Sequence, residues 1–355
     1  MNIEQRKQQH IDFWNGRGGS LLFIPAAGIF QYDVNDYKRR FYDPAVMLES
    51  ELEKAQMVID WPTDGLPAVR SNLGTIFIPA IAGQDYMINE GQMPWPGEHF
   101  SAEQIAAVKD VNIEDSQILK LALELYNRFR SQGRSDIFAY HADTQGVFDV
   151  LHLLRGNDLF YEMSDEENAG ITHQLLDVVT KLYIDVSKKL KASICEADNQ
   201  MVHGHGTPQG LYFPSAGVRL SEDTATLLSP AMIDEFVIPY MHKAAMPFGG
   251  AFVHYCGKHE YLYEAVLNCH FVRAIDLGNP EMYDTNWLLK KCAQTSTVFY
   301  GKLAELEGEK WPDYTKRIAS IVKQTGARCV LRPCVFPQNK SESQEMLDMW
   351  HELTM

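Results

Sequence analysis

A chain of 355 residues, 45% of them hydrophobic, is long enough to bury a large core, either as one α/β barrel or as two ordinary domains. Its 32 Lys and Arg stand against 47 Asp and Glu, and the resulting net charge of −15 excludes recognition of nucleic acid or of an anionic membrane by bulk charge. Six cysteines are too dilute for a disulfide scaffold, no apolar run reaches the ~18 residues of a membrane span, and no secretion signal opens the sequence, so a cytoplasmic protein is expected.

The N-terminal stretch MNIEQRKQQHIDFW is polar and amphipathic and predicts a helical extension ahead of the main body. Beyond it, short apolar or β-branched runs ending in Gly, Asn, Asp or Pro alternate with longer segments of helical period. The strand candidates are 20–28, 65–72, 136–146, 217–223, 250–257, 271–278, 296–303 and 327–334. Helical segments between them include 43–60, 112–132, 171–191, 229–248 and 311–325. In 171–191, Leu175, Leu176, Val179, Leu182, Tyr183, Val186 and Leu190 recur at three- and four-residue steps, which predicts one buried face. Ser229 before Pro230 reads as an N-cap with a first-turn proline, and Gly326 as a helix stop. Eight strands alternating with helices, with no linker or low-complexity tract, predict a single α/β domain over 1–355, a (β/α)8 TIM barrel with its chemistry at the C-terminal strand ends. No Gly-x-Gly-x-x-Gly fingerprint follows an early strand, which disfavours a doubly wound open sheet.

The fifth strand candidate carries His254-Tyr255-Cys256. Composition alone predicts roughly 0.2 His-x-Cys coincidences in such a chain. Two residues apart in extended chain, the two side chains point the same way and can share one ion. Cys334 ends strand eight, in VLRPCVFP, and joins them if the barrel brings that end to the same mouth. Three N and S ligands with a fourth position open are the pattern of catalytic zinc. A buried cysteine and a hydrogen-bonded core histidine account for His254 and Cys256 equally well. Cys195, Cys269, Cys292 and Cys329 read as structural.

Other strand ends carry polar residues. Glu222 and Asp223 end strand four, where a carboxylate can complete a zinc shell or orient His254, or can cap a helix or face water. His141 and Asp143 end strand three, Asp276 ends strand six and Lys302 ends strand seven. The segment MVHGHGTPQGLYFP (201–214) reads as a flexible surface loop, with a cofactor-facing flap as the alternative, and lacks the ending of a phosphate loop.

On these residues the chain resembles the uroporphyrinogen decarboxylase superfamily, and within it the zinc-dependent corrinoid methyltransferases of the methylcobalamin:coenzyme M methyltransferase type. DTQGVFDVLHLLRGNDLFYEMSDEEN (143–168) is similar to the family segment after strand three, and SEDTATLLSPAMIDEFVIPY (221–240) to its acidic strand end with a Ser-Pro helix start. His254-x-Cys256, followed by Cys334 after 77 intervening residues, matches the spacing of the methyltransferase branch. Strand one reads LLFIPAAGIF, without the arginines of the true decarboxylases.

The resemblance implies zinc on His254, Cys256 and Cys334, with Glu222, Asp223 and Asp143 as candidate catalytic groups. It further implies a methyl-corrinoid co-substrate, free or on a separate corrinoid-carrying protein, and a small-molecule methyl acceptor such as a thiol. A decarboxylase or lyase of the same fold is the alternative, and a binder that has lost its chemistry is a third reading.

Overall fold

The computed structural model describes residues 1–29, 37–89, 92–165 and 169–355. Within the eight expected runs lie β1 (Leu21–Leu22), β2 (Leu66–Arg70), β3 (Phe138–Tyr140), β4 (Val218–Ser221), β5 (Ala251–Tyr255), β6 (Val272–Leu277), β7 (Val298–Gly301) and β8 (Cys329–Leu331). Helices follow the 3.6-residue pattern. Pro44–Ile59 starts on Asp43, whose side chain accepts from the N–H groups of Ala45 and Val46. Trp311–Thr325 stops at Gly326, whose left-handed backbone at φ 69° suits glycine. The expected helix 229–248 starts as foreseen on Ser229 but passes through a π-helical turn at Ile233–Val237. Pro239, which lacks an N–H, sits just beyond that turn.

The N-terminal helix, Ile3–Trp14, is closed at its start by reciprocal hydrogen bonds between Asn2 and Gln5. Its Arg6 guanidinium is buried and donates to the carbonyls of Val58, Trp61 and Gly65, which fastens the extension to the end of the next long helix and the start of β2. No helix among the described residues is long and apolar enough to cross a membrane.

The sheet corrects one expectation. Strands β4, β5, β6, β7, β8 and β1 form one parallel six-stranded sheet in that order. Strands β2 and β3 pair with each other in a second sheet, so the closed eight-stranded ladder does not form. The free edge of β2 is taken by an antiparallel hairpin, Met201–His203 with Gln209–Phe213, which pairs at Leu66 and Pro67. Residues 201–214 are therefore a largely buried hairpin where the sequence reading favoured a surface loop. Strand β1 is only two residues long and meets the start of β2 through Asp64, which donates its N–H to the Leu22 carbonyl (3.0 Å) and accepts the Leu22 N–H on its side chain (2.8 Å).

Alternation along the strands sorts two layers. Leu21, Phe252, Ala274, Val298, Tyr300 and Val330 pack inward on Met201, Leu211 and Phe213 of the hairpin. Leu22, Val253, Ile275, Phe299 and Leu331 belong to the outer core with the helices. His254 and Asp276 follow Phe252 and Ala274 at two-residue spacing and so continue the inward row at the C-terminal ends of their strands.

Candidate metal centre

The parallel register places the site. Ser221 of β4 pairs with His254 of β5, and His254 pairs with Asp276 of β6. Residues from three strand ends therefore lie in one row, and the turn after Ser221 begins beside His254. The Glu222 N–H still donates to the His254 carbonyl (2.9 Å), so Asp223 is the first residue free to turn over the end of β5.

His254 Nε2 lies 3.5 Å from Cys256 Sγ and 3.6 Å from Asp223 Oδ1. In a tetrahedral zinc site, bond lengths of about 2.0–2.1 Å to nitrogen and about 2.3 Å to sulfur set the N···S edge near 3.5 Å. The donors thus already stand at a metal-binding spacing, and all three ligand atoms lie within 4.8 Å of one another. The Cys256 N–H donates to Asp223 Oδ1 at 2.6 Å and holds that carboxylate in place. Gly278 makes the approach possible, because a Cβ on it would lie 2.4 Å from Cys256 Sγ.

Behind the imidazole, Asp276 Oδ2 accepts from His254 Nδ1 at 3.0 Å and from His205 Nε2 at 2.9 Å. The first bond assigns the proton to Nδ1 and turns the Nε2 lone pair toward Cys256 and Asp223. Burial by itself would raise the Asp276 carboxyl, but His205 and the hydrogen bonds from both imidazoles outweigh it and hold the group well below the usual carboxylate range. His205 is pushed down to about 3, first by burial, so it is neutral and donates one N–H. Its backbone is left-handed at φ 43°, uncommon outside glycine, and its Nδ1 has no hydrogen-bond partner among the described residues. The three groups His205, His254 and Asp276 also lie within ligand distance of one another, but here a shared oxygen already takes both imidazole protons. Gly301 packs on this carboxylate, where a Cβ would meet Asp276 Oδ1 at 2.2 Å.

The Cys256 thiol is pushed up to about 12, by burial and then by the Asp223 and Asp276 charges. Without a cation it stays protonated. Cys256 is exposed while His254 is buried, so the group opens to solvent on the thiol side.

Of the expected site residues, Asp223, His254 and Cys256 come together. The other three lie outside both ligand groups. Cys334 is beside Glu305, its N–H on Tyr314 Oη at 3.4 Å, and burial followed by the Glu305 charge pushes its thiol up to about 11. Glu222 turns away from the mouth, buried, and its Oε2 accepts the Asp149 N–H (3.0 Å) at the start of the helix Val147–Arg155. Asp149 reciprocates by accepting the N–H groups of Asp223 and Thr224, both at 2.8 Å. This exchange fixes the turn that carries Asp223. Asp143 accepts from Arg219 Nη1 (2.9 Å) and Gln145 Nε2 (2.8 Å); burial opposes ionisation, but Arg219 and Arg70 hold the carboxyl down to about 2.

Sequence reasoning missed the part played by His205, whose only signal was a second His-Gly step in a glycine-rich segment. It named Asp276 as a strand-end residue without its partner.

No family model matches the chain, and no curated protein matches it in sequence. Its fold is similar to that of a methyltransferase from Methanosarcina mazei, with a TM-score of 0.63 and 14% identity over 98% of each chain. At that identity the likeness is one of fold.

Proposed function

We propose that the protein is a zinc-dependent methyltransferase that moves a methyl group between a methyl-corrinoid, free or carried on a separate protein, and a small thiol or other acceptor. The observation that supports this most is the close grouping of Asp223, His254 and Cys256 at metal-ligand spacing, with Asp276 behind the imidazole. Its position at the C-terminal strand ends suits a catalytic centre, and we read the fold as an opened relative of the uroporphyrinogen decarboxylase barrel. The likeness to a solved methyltransferase agrees with both readings.

Asp223, His254 and Cys256 would hold the zinc. When bound, zinc lowers the pKa of a coordinated thiol so that it is a thiolate at neutral pH. The chain's own work is orientation. Asp276 keeps the His254 proton on Nδ1, the Cys256 N–H and the Asp149 carboxylate keep Asp223 over the end of β5, and the inward aromatic layer below the mouth excludes water. Asp143 and Arg219 form an ion pair.

The test is direct: zinc-loaded protein is mixed anaerobically with methylcob(III)alamin and a panel of thiols and reduced folates. Methyl transfer leaves both electrons of the carbon–cobalt bond on cobalt, so cobalt(I) and methylated acceptor should appear in equal amounts and a chelator should stop the reaction. Failure of every acceptor, together with no corrinoid binding, would refute the proposal. A second reading, a lyase of the same fold acting on a carboxylate, draws on Arg219, whose Nε is buried without a hydrogen-bond partner among the described residues. Protein purified without added metal that carries no zinc would favour it.

A further inference from the structure

His254 and Asp276 lie where β5 and β6 finish, whereas a cavity of about 440 Å³ lies where the same parallel sheet begins. Its lining includes Ser215 ahead of β4, Asn268 and Arg273 around the start of β6, Thr295 and Ser296 ahead of β7, and Arg328 ahead of β8. The volume falls in the range of about 300–1,000 Å³ usual for small-molecule sites.

Charge sets this cavity apart. In a chain of net charge −15, Arg128, Arg134, Arg155, Arg219 and Arg317 each pair with a carboxylate. Arg273 and Arg328 are only partly exposed, yet among the described residues neither has a carboxylate partner, and no Asp or Glu lines the cavity. Their donors hold backbone carbonyls instead, Arg273 those of His270 and Gly249, and Arg328 those of Phe13, Trp14 and Ser296. These bonds fix both guanidinium groups in place but leave their charge uncompensated, because a carbonyl carries only a partial charge. Burial lowers the pKa of Arg328, and no carboxylate opposes that shift.

We infer that this cavity is a binding site for a small soluble phosphate ester whose phosphate is held by Arg273 and Arg328. A guanidinium fork takes phosphate oxygens in pairs, and two full positive charges suit a dianion better than the single charge of a carboxylate. The Ser215 and Ser296 hydroxyls and the Asn268 amide suit a hydroxylated carbon skeleton. A net charge of −15 disfavours a phosphate presented on a membrane or a nucleic acid, which leaves a small solute. Arg328 also lies over the Phe13 and Trp14 rings, 5.9 and 6.0 Å from their centroids, so a bound anion would tighten the N-terminal helix on the sheet. The inference stands whether or not methyl transfer is the reaction.

Calorimetric titration of the full chain with glycerol phosphate, inorganic phosphate, acetate and glycerol tests it, because none of these probes depends on zinc or on turnover. One saturable site per chain is expected for glycerol phosphate, with inorganic phosphate weaker and acetate and glycerol silent. Glycerol phosphate should also raise the midpoint of thermal unfolding as the site fills. Arg273→Gln and Arg328→Gln should each weaken binding about tenfold or more, while Arg128→Gln, outside the cavity, should leave it unchanged. Arg328 anchors the N-terminal helix, so if Arg328→Gln does not fold, Arg273→Gln and Arg273→Lys carry the test, the second with a smaller loss. Absence of saturable glycerol phosphate binding, equally tight binding of inorganic phosphate or acetate, an equal loss in Arg128→Gln, or unchanged binding in Arg273→Gln would each overturn the inference.

Discussion

The Asp276 carboxylate stands 3.0 Å from His254 Nδ1 and so decides which ring nitrogen of His254 faces Cys256. Parallel pairing of β5 with β6 sets this relationship, since Asp276 and His254 are register partners. Removing the carboxylate frees the ring to rotate and to change tautomer. Zinc affinity of Asp276→Ala, measured by competition against a chelator, is expected to fall about 10–100-fold with the fold intact. An unchanged affinity would mean that Nε2 needs no support from behind.

Zinc content separates the donors. His254→Ala, Cys256→Ala and Asp223→Ala should each lose most of the metal, because each would supply one of three ligands in the proposed site. Cys334→Ala should keep it, given that Cys334 is held beside Glu305. Loss of zinc from Cys334→Ala would show instead that the chain after β8 moves to the ion on loading.

Binding should also release a proton. The Cys256 thiol, raised to about 12, is protonated near neutrality, whereas the ligand form is the thiolate. Deprotonation favours the bound state, so apparent zinc affinity should rise with pH, by about tenfold per unit between pH 6 and 9. Proton release measured by calorimetry in buffers of different ionisation enthalpy should approach one per zinc and vanish in Cys256→Ala.

The buried pair of Asp149 and Glu222 predicts a stability trend. Burial and then the Asp223 charge raise Asp149 to about 7, and burial and then the Asp149 charge raise Glu222 well above its ordinary value. The native state therefore holds more protons than the unfolded chain above about pH 4, and stability falls as pH rises through 7. Glu222→Gln keeps an acceptor for the Asp149 N–H without the second charge. In urea melts at pH 5 and 8.5 the wild type should lose at least about 1 kcal/mol between the two, and the variant clearly less. Equal slopes would mean that both carboxylates ionise freely in the fold.

What the sequence determined by itself is what local periodicity carries. Each of β1 to β8 falls inside a short apolar run picked out from the sequence, because chain alternation and turn chemistry act over a few residues. His254 and Cys256 were legible as a same-side pair for the same reason: extended chain repeats every two residues. Tertiary structure decided the rest. Glu222 and Asp223 are neighbours in sequence, yet one turns into the start of the helix after β3 and the other over the end of β5, a choice made by backbone N–H groups from distant segments. Asp276 reaches His254 through strand register, and Cys334 stays with Glu305 although its spacing suggested the metal. The glycine- and histidine-rich segment 201–214 looked like solvent-facing loop, but an unpaired edge of β2 and the inward apolar layer draw it into the interior. That pairing keeps the eight strands from closing into one ladder. Such contacts join residues far apart in the chain, so their energies depend on which edges and faces remain open after the local elements form, and no short stretch of sequence encodes that.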